Sequence, residues 1–122
     1  MPTPTTISID EADPFHVIVV DRRALERSPT PRSVVVVMGE IDMATVPLLC
    51  DVLLGELESG KTDLVIDLAH VEFIDVIGVR TLLHVADAAC ALGGRVRIQA
   101  ASPALRRICD LLGVGGVLLA EG

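Results

Sequence analysis

At 122 residues the chain is long enough for one compact domain and too short for two. Apolar residues make up 51% of it, yet there are two Phe and no Trp or Tyr, so the core is built from Val, Leu, Ile and Ala, and aromatic platforms for stacking nucleic-acid bases are excluded. A formal charge of -7 disfavours nucleic acid and anionic membranes, which both reward a basic patch, and points to a protein partner.

No apolar run approaches the roughly 20 residues needed to span a bilayer. The start MPTPTTISIDEADP lacks a basic region followed by an apolar one, which makes the cytoplasm the expected location, without membrane insertion. The three cysteines, Cys50, Cys90 and Cys109, are far apart and have no zinc-type spacing, so no metal and no cofactor are expected.

Residues 1–14 are rich in Thr, Pro and acids without periodicity and read as a flexible terminus, leaving 15–122 as the domain. Phe15 to Val20 and Val34 to Met38 read as two strands of an opening hairpin. Between them lies a polar, proline-interrupted connector holding Arg22, Arg23, Arg27 and Arg32; Ser28, Thr30 and Ser33 are hydroxyls open to modification, but the plainer reading is a solvated loop. After Gly39 to Asp42, the stripe Val46, Leu49, Cys50, Leu53 and Leu57 predicts a first helix, with Thr45 as N-cap, Pro47 in the first turn and an end near Ser59 and Gly60. Leu64 to Leu68 predicts a central strand, followed by a turn at Ala69 and His70.

The chain then reaches Val71 to Val79, where Asp75 ends an apolar run and Gly78 opens a helical pattern. An acid in this position gains from the unpaired N–H groups and the positive dipole of a helix start. Between Asp75 and Gly78 stand Val76 and Ile77, apolar where an exposed turn normally carries polar residues. The second helix places Val79, Leu82, Leu83, Ala86 and Cys90 inward and Arg80, His84 and Asp87 outward, and ends at Gly93 and Gly94. Arg95 to Gln99 alternates as a half-covered strand. Ser102 and Pro103 are an N-cap and first-turn proline for a third helix, with Leu105, Ile108, Cys109 and Leu112 inward and Gly113 closing it. Val117 to Leu119 reads as a last strand. The order is β-β-α-β-α-β-α-β, an α/β fold with a mixed, mostly parallel sheet and helices packed against it.

GEIDMATVPLL followed by LVIDLAHVEFIDVIGVRTLLHVADAACALGGRVRIQAASPALRRICDLLGV resembles the STAS domain of bacterial anti-sigma-factor antagonists, from Val34 onward. The matching landmarks, in order, are the GE(L/I)D turn, a strand ending in D-L, an acid-x-x-Gly corner, a glycine-rich helix end and the SPALRRI helix. The resemblance implies a STAS fold and a regulatory switch, not an enzyme. Its partner is an anti-sigma factor, often of the kinase-like ATPase fold, whose capture frees a sigma factor. It further implies that the partner surface includes Asp42, Asp75, Val76, Ile77 and Gly78. In similar antagonists the kinase phosphorylates the hydroxyl residue after the corner Asp, placing a charge of about -1.5 to -2 beside a carboxylate and weakening the interface. Here that phosphosite-equivalent position is Val76, which has no hydroxyl. The expectation is an antagonist fixed in its binding-competent form, with an accessory subunit of a transport or stress-signalling assembly as the alternative.

Other readings are weaker. A receiver-type phosphoaspartate at Asp75 needs an acidic pair and a lysine, and the sole Lys is Lys61 in a turn. Thr81, one turn after Ile77, is an alternative phosphosite against a plain solvated Thr. Asp42 has a capping role as its alternative, Asp67 is expected to satisfy nearby N–H groups, and His70 and His84 have no partner spacing. Cys90 and Cys109 are a possible redox pair if the second and third helices lie together, against the ordinary reading of free Cys as small core residues.

Overall fold

The computed structural model describes residues 5–8, 15–21 and 32–113; the strand expected at 117–119 and most of the hairpin connector lie outside these residues. The elements are β1 (Thr5–Ser8), β2 (His16–Asp21), β3 (Arg32–Ile41), α1 (Val46–Glu58), β4 (Asp63–Ile74), α2 (Val76–Ala91), β5 (Arg95–Gln99) and α3 (Pro103–Leu112). The five strands form one sheet in sequential order, β1-β2-β3-β4-β5. The first two pairings are antiparallel, and β3, β4 and β5 run parallel, joined by α1 and α2. The class is therefore the expected mixed α/β sheet with helices packed against it.

The structure corrects the reading of residues 1–14 in one respect, since Thr5–Ser8 is a strand. Thr5, Thr6 and Ile7 are β-branched, and the segment finds a partner in β2, with Thr5 opposite Val19 and Ser8 opposite His16. On β3, Ser33, Val35, Val37 and Ile41 are buried on one face while Val34, Val36 and Met38 are half-buried on the other, the period-2 pattern of a sheet with one fully covered face. That face meets Leu49, Leu53 and Leu57 of α1 and Val79, Leu82, Val85 and Ala89 of α2 in one continuous core. Ser33, a hydroxyl inside this face, donates to Glu56 Oε1 of α1, so it is neither solvated nor open to modification.

The larger correction concerns β4. No turn interrupts it at Ala69 and His70; it runs unbroken from Asp63 to Ile74. Two irregularities let it do so. Between the pairs Val36/Asp67 and Met38/His70, and again between Gly39/Val71 and Glu40/Phe73, β4 uses one residue more than β3. Each extra residue is a β-bulge, which bends the strand and re-aims the side chains beyond it. The result is burial at every third residue, Leu68, Val71 and Ile74, where a regular strand would alternate. Gly39, at φ 101°, lies beside the second bulge in a backbone region that glycine enters without penalty.

The helix ends follow local chemistry. Ser102 Oγ accepts from the Leu105 N–H, Pro103 opens α3, and Gly113 closes it in the left-handed conformation. Helix α2 begins at Val76, two residues before the expected start, and its buried face is Gly78, Val79, Leu82, Val85 and Ala89. That displaces Cys90 from the inner stripe to an exposed position, while Leu112 of α3 is 42% exposed.

Candidate partner-binding corner

Ile41 and Ile74 are paired at the ends of the adjacent parallel strands β3 and β4, so Asp42 and Asp75 leave the sheet side by side. The two exits are tied together, because the Asp75 N–H donates to the Ile41 carbonyl at 3.1 Å. Asp75 is extended and serves as N-cap of α2, its Oδ1 accepting from the Gly78 N–H at 2.8 Å. An anchored cap of this kind fixes the direction of the first helical turn.

Asp42 braces the other exit. Its Oδ1 accepts from the N–H groups of Ala44 at 2.9 Å and Thr45 at 3.2 Å. Thr45 answers with Oγ1, which accepts from the Asp42 N–H at 2.9 Å and donates to the Glu40 carbonyl at 2.8 Å. Thr45 stands at the N-cap position of α1 as predicted, but its hydroxyl makes no cap bond to the helix; it faces back into the turn. Asp42 thus does the local work of capping the turn that leads into α1.

These two anchored turns present an apolar surface. Val76 and Ile77, the first two residues of α2, are 40% and 42% exposed, and Met43 in the Asp42 turn is 72% exposed. Gly78 and Val79 lie buried beneath them. A Cβ on Gly78 would stand 2.7 Å from both Ile41 Cγ2 and Ile74 Cγ1, so glycine is what lets the helix start sit directly on the strand ends. Sequence reasoning named Asp42, Asp75, Val76, Ile77 and Gly78 and missed Met43. The available signal for Met43 was a large apolar residue directly after an acid that ends a strand.

The remaining candidates sit in different settings. Thr81 Oγ1 donates to the Ile77 carbonyl at 2.9 Å, a helical back-bond. Asp67 Oδ1 accepts from the Ala69 N–H at 3.0 Å, and His70 and His84 are exposed. Cys90 is exposed, whereas Cys109 is fully buried in the core beneath α3, and all three cysteines are free. Burial first, and the neighbouring carboxylate of Asp51 or Asp110 second, push the Cys50 and Cys109 thiols up, away from the reactive thiolate. Among the described residues no three His, Cys, Asp or Glu side chains come together to hold a metal ion, and no helix is long and apolar enough to cross a membrane.

The fold agrees with comparisons to known proteins. The family model described as Mlab, STAS domain, matches residues 24–120, and the chain belongs to the STAS domain family. An anti-sigma factor antagonist from Mycobacterium paratuberculosis has a similar structure, with a TM-score of 0.66 and 27% identity over 100% of this chain and 87% of that one. Two structures of SpoIIAA share the fold. The anti-sigma factor antagonist in its unphosphorylated form gives a TM-score of 0.59 and 20% identity over 75% and 80% of the two chains. The phosphorylated form of this Bacillus cell fate determinant gives 0.60 and 16% over 98% and 92%. Among curated proteins no sequence match was found.

Proposed function

We propose that this protein is a non-catalytic anti-sigma-factor antagonist of the cytoplasm that binds an anti-sigma factor of the kinase-like ATPase fold and thereby frees a sigma factor. The contact surface is Val76 and Ile77, framed by Asp75 and Gly78 on one side and by Asp42 and Met43 on the other. The observation that carries this reading is the exposed apolar pair on a rigidly capped helix start, in a chain resembling an antagonist along its whole length. Apolar side chains that are large, exposed and held in place by anchored backbone are the raw material of binding hot spots. With Val at position 76 there is no hydroxyl to carry a phosphate, so the surface stays neutral between its two acids.

The test is a pull-down from the source cell with the wild-type chain and Val76→Glu, with identification of the proteins that differ. Recovery of a kinase-like anti-sigma factor by the wild type alone is the expected result. Val76 is 40% exposed at the first helical position, where an acid suits the helix dipole, so the variant keeps its fold. Equal recovery by both proteins would refute the assignment of the surface. Recovery of transport components instead would favour the second reading, an accessory subunit of a transport or stress-signalling assembly, which the missing hydroxyl also allows.

A further inference from the structure

A second apolar surface lies outside the corner. Strand β5 pairs with β4 only from Asp63 to Asp67, and beyond that point α3 packs against β4. A helix cannot close on a bulged strand as a paired strand does at about 4.8 Å. What remains is a groove of about 550 Å³ along the end of β4, lined by Phe73, Pro103, Ala104, Arg107, Ile108 and Leu111 among others. Phe73 is 48% and Leu111 80% exposed. Two large apolar side chains therefore stand open on opposite walls of one depression, with the half-buried Ile108 against the core.

The charge of the groove narrows what it can hold. Arg107 is the one charged side chain among its described lining residues, in a chain whose formal charge is -7. Arg107 is exposed and forms no ion pair with a described residue. An apolar trough with a single guanidinium on its wall complements an apolar segment bearing one carboxylate, because Arg pairs with carboxylates in a bidentate fork while the trough removes apolar area from water. We propose that this groove is a docking site for a partner polypeptide, taking a short apolar segment that carries an Asp or Glu opposite Arg107. Phe73 and Leu111 are its apolar anchors. The proposal does not depend on the partner assigned to the corner, although Phe73 lies only two residues before Asp75 in the chain.

The probe is a phage-displayed library of random nine-residue peptides selected on the immobilised full chain, with the enriched peptide then measured by fluorescence polarisation. The expected consensus combines Leu, Ile, Val or Phe with one Asp or Glu. Leu111→Asp weakens that peptide at least tenfold. Arg107→Glu weakens it similarly, and a repeat selection on that variant enriches Lys or Arg in place of the acid. Val76→Glu leaves the peptide affinity unchanged. All three positions are exposed, and circular dichroism confirms that each variant is folded. No enrichment would overturn the proposal, as would enriched peptides indifferent to Leu111→Asp and Arg107→Glu, or peptides displaced by Val76→Glu. Peptides matching residues 114–122 would assign the groove to the chain itself, and a dimer abolished by Leu111→Asp in sedimentation would assign it to a second copy. Either result overturns a partner segment.

Discussion

Replacing Gly78 with Ala adds one methyl group at the point where α2 rests on the strand ends. The added carbon would lie 2.7 Å from Ile41 Cγ2, 2.7 Å from Ile74 Cγ1 and 3.2 Å from Ile74 Cδ1. Both isoleucines are buried and β-branched, so their χ1 angles are stiff and neither can swing aside at low cost. The relief has to come from lifting the helix start, which stretches the 2.8 Å bond from the Gly78 N–H to Asp75. Overpacking of this kind costs roughly 1–3 kcal/mol. Ala gains up to about 1 kcal/mol over Gly in helix propensity, less in the first turn, so the net expectation is a loss of about 1–2 kcal/mol. With an m-value of about 1–2 kcal/mol/M, the urea midpoint falls by roughly 1 M. A double-mutant cycle checks the cause: Ile74→Ala alone costs about 2–5 kcal/mol, and the double variant costs less than the sum by about 1 kcal/mol. A Gly78→Ala protein as stable as wild type, or strict additivity in the cycle, would refute the packing argument.

Gly94→Ala should be more severe, because its Cβ would fall 1.9 Å from the Thr62 carbonyl oxygen, a backbone atom that cannot rotate away; a loss of about 3 kcal/mol or failure to accumulate as folded protein is expected, read by urea melting or soluble yield. Asp75→Ala removes the α2 cap and should cost about 1 kcal/mol in the same melt, while Asp75→Asn, which keeps an acceptor, should cost less. The thiols give a pH dependence. Burial raises the Cys50 and Cys109 thiols above 9.0 in the folded state, so above pH 9 the unfolded chain loses these protons first and stability falls as pH rises. Cys109→Ala should flatten that alkaline slope, and titration with a thiol reagent at neutral pH should modify Cys90 quickly and Cys109 only on unfolding. Rapid modification of Cys109 in the native protein would contradict its burial.

The elements that were legible in the sequence are those written in local chemistry. Ser102 with Pro103 marked the start of α3 and Gly113 its end, because capping and left-handed closure depend on single residues and their immediate neighbours. Asp75 was legible for the same reason, as an acid facing a helix start. What was misread depends on partners distant in the chain. The two residues that β4 carries beyond β3 are defined only by pairing, and a strand buried every third residue has no period that sequence inspection would assign to a strand. Strand β1 exists because β2 offers an edge to a four-residue segment whose three β-branched residues are too short a run to mark a strand on their own. Cys90 was placed inward because a stripe of five apolar positions fitted equally well with a phase one residue away from the observed one. Met43 was passed over because its one signal, a large apolar residue directly after a strand-ending acid, gains weight only when the Asp42 and Asp75 turns are seen side by side.

The bulges of β4 have a further consequence for how this corner tolerates change. Between Asp67 and Ile74 the strand advances as far as β3 does between Val36 and Ile41, using seven steps where β3 uses five. The position of Asp75 is therefore set by residue count as much as by residue type. Substitutions at exposed Glu72 or Ala69 leave the count intact and should be nearly silent. Deleting either one should remove a bulge and let the flanking pairs close into a regular ladder, which straightens β4 and re-aims the start of α2 relative to Asp42. Length variation in this family member is then least admissible at two solvent-facing positions where composition is least constrained, an arithmetic requirement that side-chain burial does not reveal.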